Sequence, residues 1–293
     1  MEWRLSASCV ILLCHTVRGW CLESRLHRYK TSCVPASLLI LRKVSPPTSP
    51  TRLETGRMTT AIPFSPPFAG EDRTRNYCFV EVDGQPKESS WRRKRGEAFP
   101  PDFTDTGPVL DVVVHDLQFS DTKSDWWQNS TLLGYGSDAC VRLEGEGGSE
   151  HPLIKLAHPG TERRERIQHE FEVMQRLSHL GFVARIDTEP LTDHKGVFGF
   201  RLERLVKVDR EETTARKGEV GIMLHQLHQV RYCHGDIHFC NIMKRSDGEL
   251  VLIDFSYAGA LGEAVPDHVP EYMHPGRVYS VEFDLERLRG QWI

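Results

Sequence analysis

Within residues 234–255, HGDIHFCNIMKRSDGELVLIDF, an Asp, an Asn and a second Asp stand at a spacing that suits phosphoryl transfer from a nucleotide. Asp236 can orient a hydroxyl nucleophile. Asn241, five residues on, can hold a metal ion. Asp254 ends the apolar run Leu250–Ile253 and can hold metal against phosphates. Mg²⁺ takes one or two protein oxygens together with phosphate oxygens and water, so this small ligand set suffices.

Those side chains must be brought together by the chain between them. Ser246-Asp247-Gly248 is a hairpin signal flanked by short apolar runs. A hairpin there places Asn241 and Asp254 at the same end of a two-stranded ribbon. Upstream, Gly134-Tyr-Gly136-Ser-Asp-Ala139-Cys-Val141 has glycines where backbone N–H groups could approach phosphates without a Cβ in the way. Residues 161–180 give the clearest helix, with Ile167, Phe171, Met174 and Leu177 at helical spacing and Thr161 as the expected N-cap. Val220, Leu224, Leu227 and His228 repeat that spacing before His234. His225 and His228, at i and i+3, read as ordinary helical histidines rather than metal ligands.

Taken in order, these motifs resemble the protein-kinase-like superfamily. His234-Gly235-Asp236 with Asn241 is similar to H-R-D-x-x-x-x-N, Asp254-Phe255-Ser256 to D-F-G, and residues 134–141 to G-x-G-x-x-G-x-V, with Ala139 in the third Gly position. Gly235 in place of Arg and His238 in place of Lys bring the loop closer to aminoglycoside and choline phosphotransferases and to small atypical kinases. The resemblance implies an α+β, bilobal fold with an abbreviated C-lobe. It makes Lys155 the contact to the α- and β-phosphates and Glu170 its ion-pair partner, with Glu172 or Glu165 as alternatives. It puts Glu203-Arg204-Leu205 at the hinge, where backbone groups of Glu203 and Leu205 would meet adenine. Val269-Pro270-Glu271 resembles A-P-E, and Asp284 the buried Asp that ties the catalytic loop to the C-lobe. A C-lobe ending near Ile293 is either truncated or of a compact type similar to the small kinase of the KEOPS tRNA-modification complex.

The implied cofactors are ATP and Mg²⁺, with Asn241 and Asp254 as metal ligands and Asp236, Lys155 and Glu170 as catalytic residues. Gly134, Gly136, Ala139, Val141, Lys155, Glu203 and Leu205 form the implied nucleotide site. The implied activity is transfer to a hydroxyl, first of protein Ser/Thr. The alternatives are a small-molecule phosphotransferase, and a pseudokinase for which Ser256, Ala139 and the short C-lobe speak.

Composition narrows the partners. Lys+Arg number 37 against 41 Asp+Glu, so nothing calls for a nucleic acid or an anionic membrane. No apolar run approaches a membrane-spanning length. Eight Cys without a C-x-x-C pair read as reduced thiols, which suits a cytoplasmic protein, or a nuclear one if the basic run 91–95 is a signal. The expected organisation is an N-terminal extension over 1–57, a mostly irregular stretch over 58–107 and a kinase-like domain over 108–293. That domain divides into an N-lobe to about 202 and a C-lobe from about 206. The first segment could equally be a weak secretory signal or an Arg-rich transit peptide. Within the domain, strands are expected over 109–119, 183–188 and 197–202.

Overall fold

In the computed structural model, which describes residues 61–69, 75–92, 113–145, 149–274 and 276–291, the first regular element pair is a hairpin turned by Asp83-Gly84. Both residues have positive φ (50° and 77°), the backbone that a two-residue hairpin needs and that Asp-Gly supplies. It joins β3 (Arg75–Val82) to β4 (Gln85–Arg92). With β1 (Ala61–Pro63), β2 (Phe68–Ala69) and β5 (Val113–Asp116) they make a five-stranded antiparallel sheet in the order β1-β3-β4-β5, with β2 also on β3. Cys78, Val80, Val82 and Trp91 form its small core. The expectation of a mostly irregular stretch over 58–107 is therefore corrected. The apolar run Tyr77–Val80 and the Asp-Gly turn outweigh the Pro-rich, charged composition around them. The strand expected over 109–119 covers only 113–116 among the described residues, and it pairs with β4. It belongs to the unit ending at Leu117, so the second unit starts at Gln118 rather than at 108. The expectations for residues 1–57 and for 93–95 of the basic run lie outside the described residues.

From Gln118 onward, helix α1 (Asp121–Gln128) is capped by the Ser120 hydroxyl. A second antiparallel sheet follows, with strand order β6-β7-β8-β10-β9. Its strands are β6 (Ser130–Tyr135), β7 (Ala139–Glu144), β8 (Leu153–Ala157), β9 (Leu191–Asp193) and β10 (Gly196–Leu202). Arg142 of β7 is 2% exposed, yet its head is well partnered. It lies 3.8 Å from the Trp127 ring and donates to Trp127 O, Ser130 O and Ser130 Oγ. Helix α2 (Thr161–Arg176) packs on this sheet through Ile167, Phe171 and Met174. Its N-cap is Gly160 (φ 124°), without a side-chain cap. Thr161, expected as the cap, is the first helical residue.

Residues 183–188 do not form the expected strand. Val183 bridges to Leu252 and Ile186 to Leu202, so the segment divides its hydrogen bonds between two sheets, and Pro190 beyond it lacks a donor.

The remainder is built on α3 (Arg210–Ala215), α4 (Lys217–Gln229) and α5 (Val281–Gln291). Two small sheets accompany them: β11 (Val206–Lys207) with β13 (Ile242–Lys244) and β14 (Leu250–Leu252), and β12 (Tyr232–Cys233) with β15 (Gly259–Ala260). The architecture is mixed α and β, as a kinase-like fold requires. Among the described residues no helix is long and apolar enough to cross a membrane.

Arg245, just past β13, donates to both carboxylate oxygens of Glu203 (2.9–3.1 Å) and to the carbonyls of Gly181 and Val183. The two side chains are 7% and 11% exposed. Removing one partner strands the other charge in a poorly solvated site. Arg245→Ala should therefore cost about 3–5 kcal/mol, whereas Arg245→Met with Glu203→Gln should cost less. Urea unfolding of the single and double variants measures this. A single variant within about 1 kcal/mol of the parent would show that the pair carries no such weight.

Candidate active site

The β13–β14 ribbon sets the frame. Ile242 is opposite Leu252, and Ile253 N donates to Asn241 O at 3.0 Å. The turn closes through Gly248 N to Arg245 O. Asn241 and Asp254 thus leave the same end of the ribbon, as the hairpin reading requires. Asp254 holds a positive φ of 64° without being Gly, which a structure sustains only where its surroundings over-determine it.

Lys155, central on β8 opposite Val141 and Phe200, reaches both of its acidic neighbours. Its Nζ lies 2.7 Å from Glu170 Oε1 and Oε2 and 3.0 Å from Asp254 Oδ1. Between Glu170 and its alternatives the structure decides: Glu165 is exposed, and Glu172 accepts from Gln168. Gly199 on β10 makes the strand spacing possible, because a Cβ there would sit 2.5 Å from Lys155 O. Burial pulls the ammonium's pKa down, but Asp254 and Glu170 outweigh it and keep Lys155 charged. For Asp254, burial opposes ionisation, yet Lys155 and Ser256 draw its carboxyl down to about 2. For Glu170 burial wins over Lys155 and lifts the carboxyl to about 7.

Ser256 fits this division. Its Oγ is 3.0 Å from Glu170 Oε2 and 2.8 Å from Asp254 Oδ1. One hydroxyl proton serves one of the two carboxylates at a time. A carboxyl raised from 4.5 to about 7 on folding favours the folded state in its protonated form. Its contribution is full below pH 4.5 and is lost as the pH rises through 7. Glu170→Gln should remove this decline, so urea midpoints across that window should fall with pH in the parent and stay flatter in the variant. Parallel curves would refute the assignment.

Asp236 follows Gly235 in the loop after β12. His234, fully buried, donates from Nε2 to Ile253 O and packs against the Phe255 ring, tilted by 44° at 4.7 Å. Burial pushes its pKa down, so the ring is neutral. Asp284 of α5 accepts from His234 N and Gly235 N, each at 2.8 Å, and from His228 Nε2 at 2.9 Å. It fastens the loop to α5. His228 is thereby accounted for, and His225 bonds Gln229 instead. Asn241 Nδ2 donates to Asp236 O at 2.9 Å, which fixes the orientation of its amide. His238 Nδ1 accepts from Cys240 N, so its Nε2 carries a proton, 3.4 Å from Asp236 Oδ2.

A family model described as the lipopolysaccharide kinase (Kdo/WaaP) family matches residues 200–260, from β10 to β15. No curated protein matches the chain. The chain is similar to a kinase family. Its enzyme class is that of an ATP-dependent phosphotransferase.

The matched stretch holds Asp236, Asn241 and Asp254, whereas Lys155 and Glu170 lie before it; Lys155 reaches Asp254 directly, and Glu170 is linked to it through Lys155 and Ser256. Gly134, Gly136 and Ala139 lie along the β6–β7 turn, where Gly136 N bonds Ala139 O and His158 Nε2 meets Gly136 O at 2.9 Å. Ala139 and Val141 are buried beside the core. Glu203 is anchored on both sides of the expected hinge: its N–H donates to Arg185 O, and its carboxylate accepts from Arg245 and from Arg185 N. Leu205 is a core residue by its side chain. Glu271, expected as the A-P-E acid, is exposed.

One participant had no sequence signal. Arg287 of α5 donates from Nη1 to Asp236 Oδ1 and rests its guanidinium 4.8 Å from the Phe283 ring. Burial would raise the Asp236 carboxyl, but His238 and Arg287 outweigh it and hold it below its ordinary 3.8. Asp236 is ionised at neutral pH.

Proposed function

We propose that this chain transfers the terminal phosphoryl group of Mg-ATP to an acceptor hydroxyl. The observation that carries the reading is Lys155, held at once by Glu170 and Asp254 at the ribbon end that also presents Asn241. One carboxylate and one amide oxygen suit a hard cation that takes its other ligands from phosphates and water. Among the described residues no three His, Cys, Asp or Glu side chains form a ready-made metal cage, which fits a metal delivered with its nucleotide. When bound, Mg-ATP supplies the phosphoryl group and part of the charge compensation. Lys155 orients the phosphates, Glu170 orients Lys155, and the β6–β7 turn covers them. Asp236, ionised and braced by Arg287 and His238, orients the acceptor hydroxyl and accepts its proton. In this reading β6–β10 with α2 belong to the first lobe, and the chain from Val206 belongs to the second.

The name of the matched family concerns a lipopolysaccharide, so a sugar hydroxyl is the acceptor proposed here. The match lends nothing to a protein Ser/Thr acceptor. The test is the thermal midpoint with ATP, with and without Mg²⁺, followed by ATP turnover on a panel of sugars and on a casein-type protein. A Mg²⁺-dependent rise and sugar-stimulated turnover are expected. No rise overturns the nucleotide site. A rise without turnover on any acceptor favours a non-catalytic nucleotide-binding module.

A further inference from the structure

The segment following Asp254 is fastened to the rest of its unit by groups that the proposed reaction does not use. Tyr257 is the centre of this arrangement. Its hydroxyl donates to Asp138 Oδ2 at 3.0 Å, and Asp138 lies in the β6–β7 turn. The other Asp138 oxygen accepts from Arg166 Nη1 of α2 at 2.5 Å, and the same guanidinium donates from Nε to His268 O at 2.7 Å. One turn along α2, His169 Nε2 donates to Ala258 O at 2.7 Å. At the other end of the residue, Tyr257 O accepts from His274 Nε2 at 2.8 Å.

Gly235 completes the docking. It sits where the resemblance expects an Arg. A Cβ there would come within 2.1 Å of Tyr257 O and 2.6 Å of His274 Nε2, and its φ is +75°. A long cationic side chain at this position has no room, because the Tyr257 carbonyl and the His274 ring fill it. The segment is therefore seated directly on the catalytic loop, with no gap to be bridged by an added charge. Tyr257 and Asp138 are 9% and 8% exposed, so the hydrogen bond between them is shielded from water. Charge-assisted hydrogen bonds in such surroundings are the strong ones.

We infer that Tyr257 and Asp138 are positioning residues. Together they latch the β6–β7 turn and helix α2 to the segment 257–268, and so hold Lys155, Glu170 and the turn assembled without a covalent phosphate. The inference rests on the reading of that turn as the cover of the nucleotide. Its physical content is a coupling between two stretches 119 residues apart, joined through one hydroxyl. A core-packing role alone also deserves a hearing, since the Tyr257 ring packs with Cys233, Val265, Val269 and Met273. Removing only the oxygen separates the two, because Tyr257→Phe keeps the ring in that cluster.

The experiment uses the full chain with Tyr257→Phe, Asp138→Ala and the double variant, and Tyr272→Phe as a control at an exposed tyrosine. Deuterium uptake is followed without nucleotide, and Mg-ATP affinity is measured by calorimetry. Tyr257→Phe should speed uptake over 134–141 and 257–268 while leaving β13–β14 unchanged, and should raise the Kd for Mg-ATP roughly tenfold, the usual weight of one hydrogen bond to a charged group. The double variant should be no worse than the worse single one, because both remove the same contact. Tyr272→Phe should match the parent. Unchanged uptake over 134–141 in Tyr257→Phe overturns the latch, and so do strictly additive effects or a rise in β13–β14 as well. If the parent chain binds no Mg-ATP, the nucleotide reading fails, and the uptake pattern still decides the latch.

Discussion

Asp236→Asn should lower turnover by about 10³-fold while Mg-ATP affinity stays within about twofold, the loss expected when a positioned acid–base group is removed. The separation of the two effects follows from geometry. Lys155, Glu170 and Asp254 are joined to one another, and Asp236 bonds to none of them. Its Oδ1 faces Arg287, its Oδ2 faces His238, and its backbone carbonyl holds Asn241. Asn keeps the shape and one acceptor oxygen, so the loop should stay seated on Asp284, whose bonds run to the backbone of His234 and Gly235. Ala at 236 would lose as much turnover and also leave Arg287, half-buried, without its carboxylate, so it should be the less stable variant. Because Arg287 and His238 hold the carboxyl below 3.8, activity should not show an acidic limb from Asp236 above that pH. An Asn variant that keeps turnover within tenfold of the parent would remove Asp236 from the chemistry. Loss of Mg-ATP binding in the same variant would show that the carboxylate faces the phosphates instead.

What the sequence made legible was local. The 245–248 turn between two apolar runs fixes which ends of β13 and β14 coincide, and hence that Asn241 and Asp254 meet. The helical spacing of Ile167, Phe171 and Met174 fixes the inward face of α2, and Glu170 beside Phe171 falls on it. Illegible parts were those in which the partner is far along the chain and belongs to no pattern. Arg287 lies 51 residues from Asp236, on a helix whose charged residues alternate with apolar ones as on any surface helix. Asp138 and Tyr257 each look like ordinary turn and core residues until the fold brings them together. Composition misled at the N-terminal sheet, where Asp83-Gly84 was the signal and the surrounding Pro and charge were not. The Glu203–Arg245 pair was equally illegible, because its partners stand 42 residues apart and belong to no pattern.

Asp254→Asn should abolish the Mg²⁺-dependent part of the nucleotide-induced stabilisation and leave the fold intact. The backbone at 254 is left-handed, with φ 64°, and Asn is among the residues that tolerate that conformation best, so the turn into Phe255 should survive. Lys155 keeps Glu170, and Ser256 keeps a carboxamide oxygen to donate to. What disappears is the one carboxylate drawn down to about 2, the strongest oxygen ligand at the ribbon end. At a ligand concentration of about 100 times Kd the parent should gain about 2.7 kcal/mol from Mg-ATP, and the variant should gain no more with Mg²⁺ than without it. A second consequence is internal to the protein. The Asp254 charge helps to raise the Glu170 carboxyl, so without it Glu170 should ionise at lower pH, and the fall in stability toward pH 7 should begin earlier. A variant with the full Mg²⁺-dependent shift and an unmoved pH curve would mean that Asp254 neither binds the metal nor shares a charge network with Lys155 and Glu170.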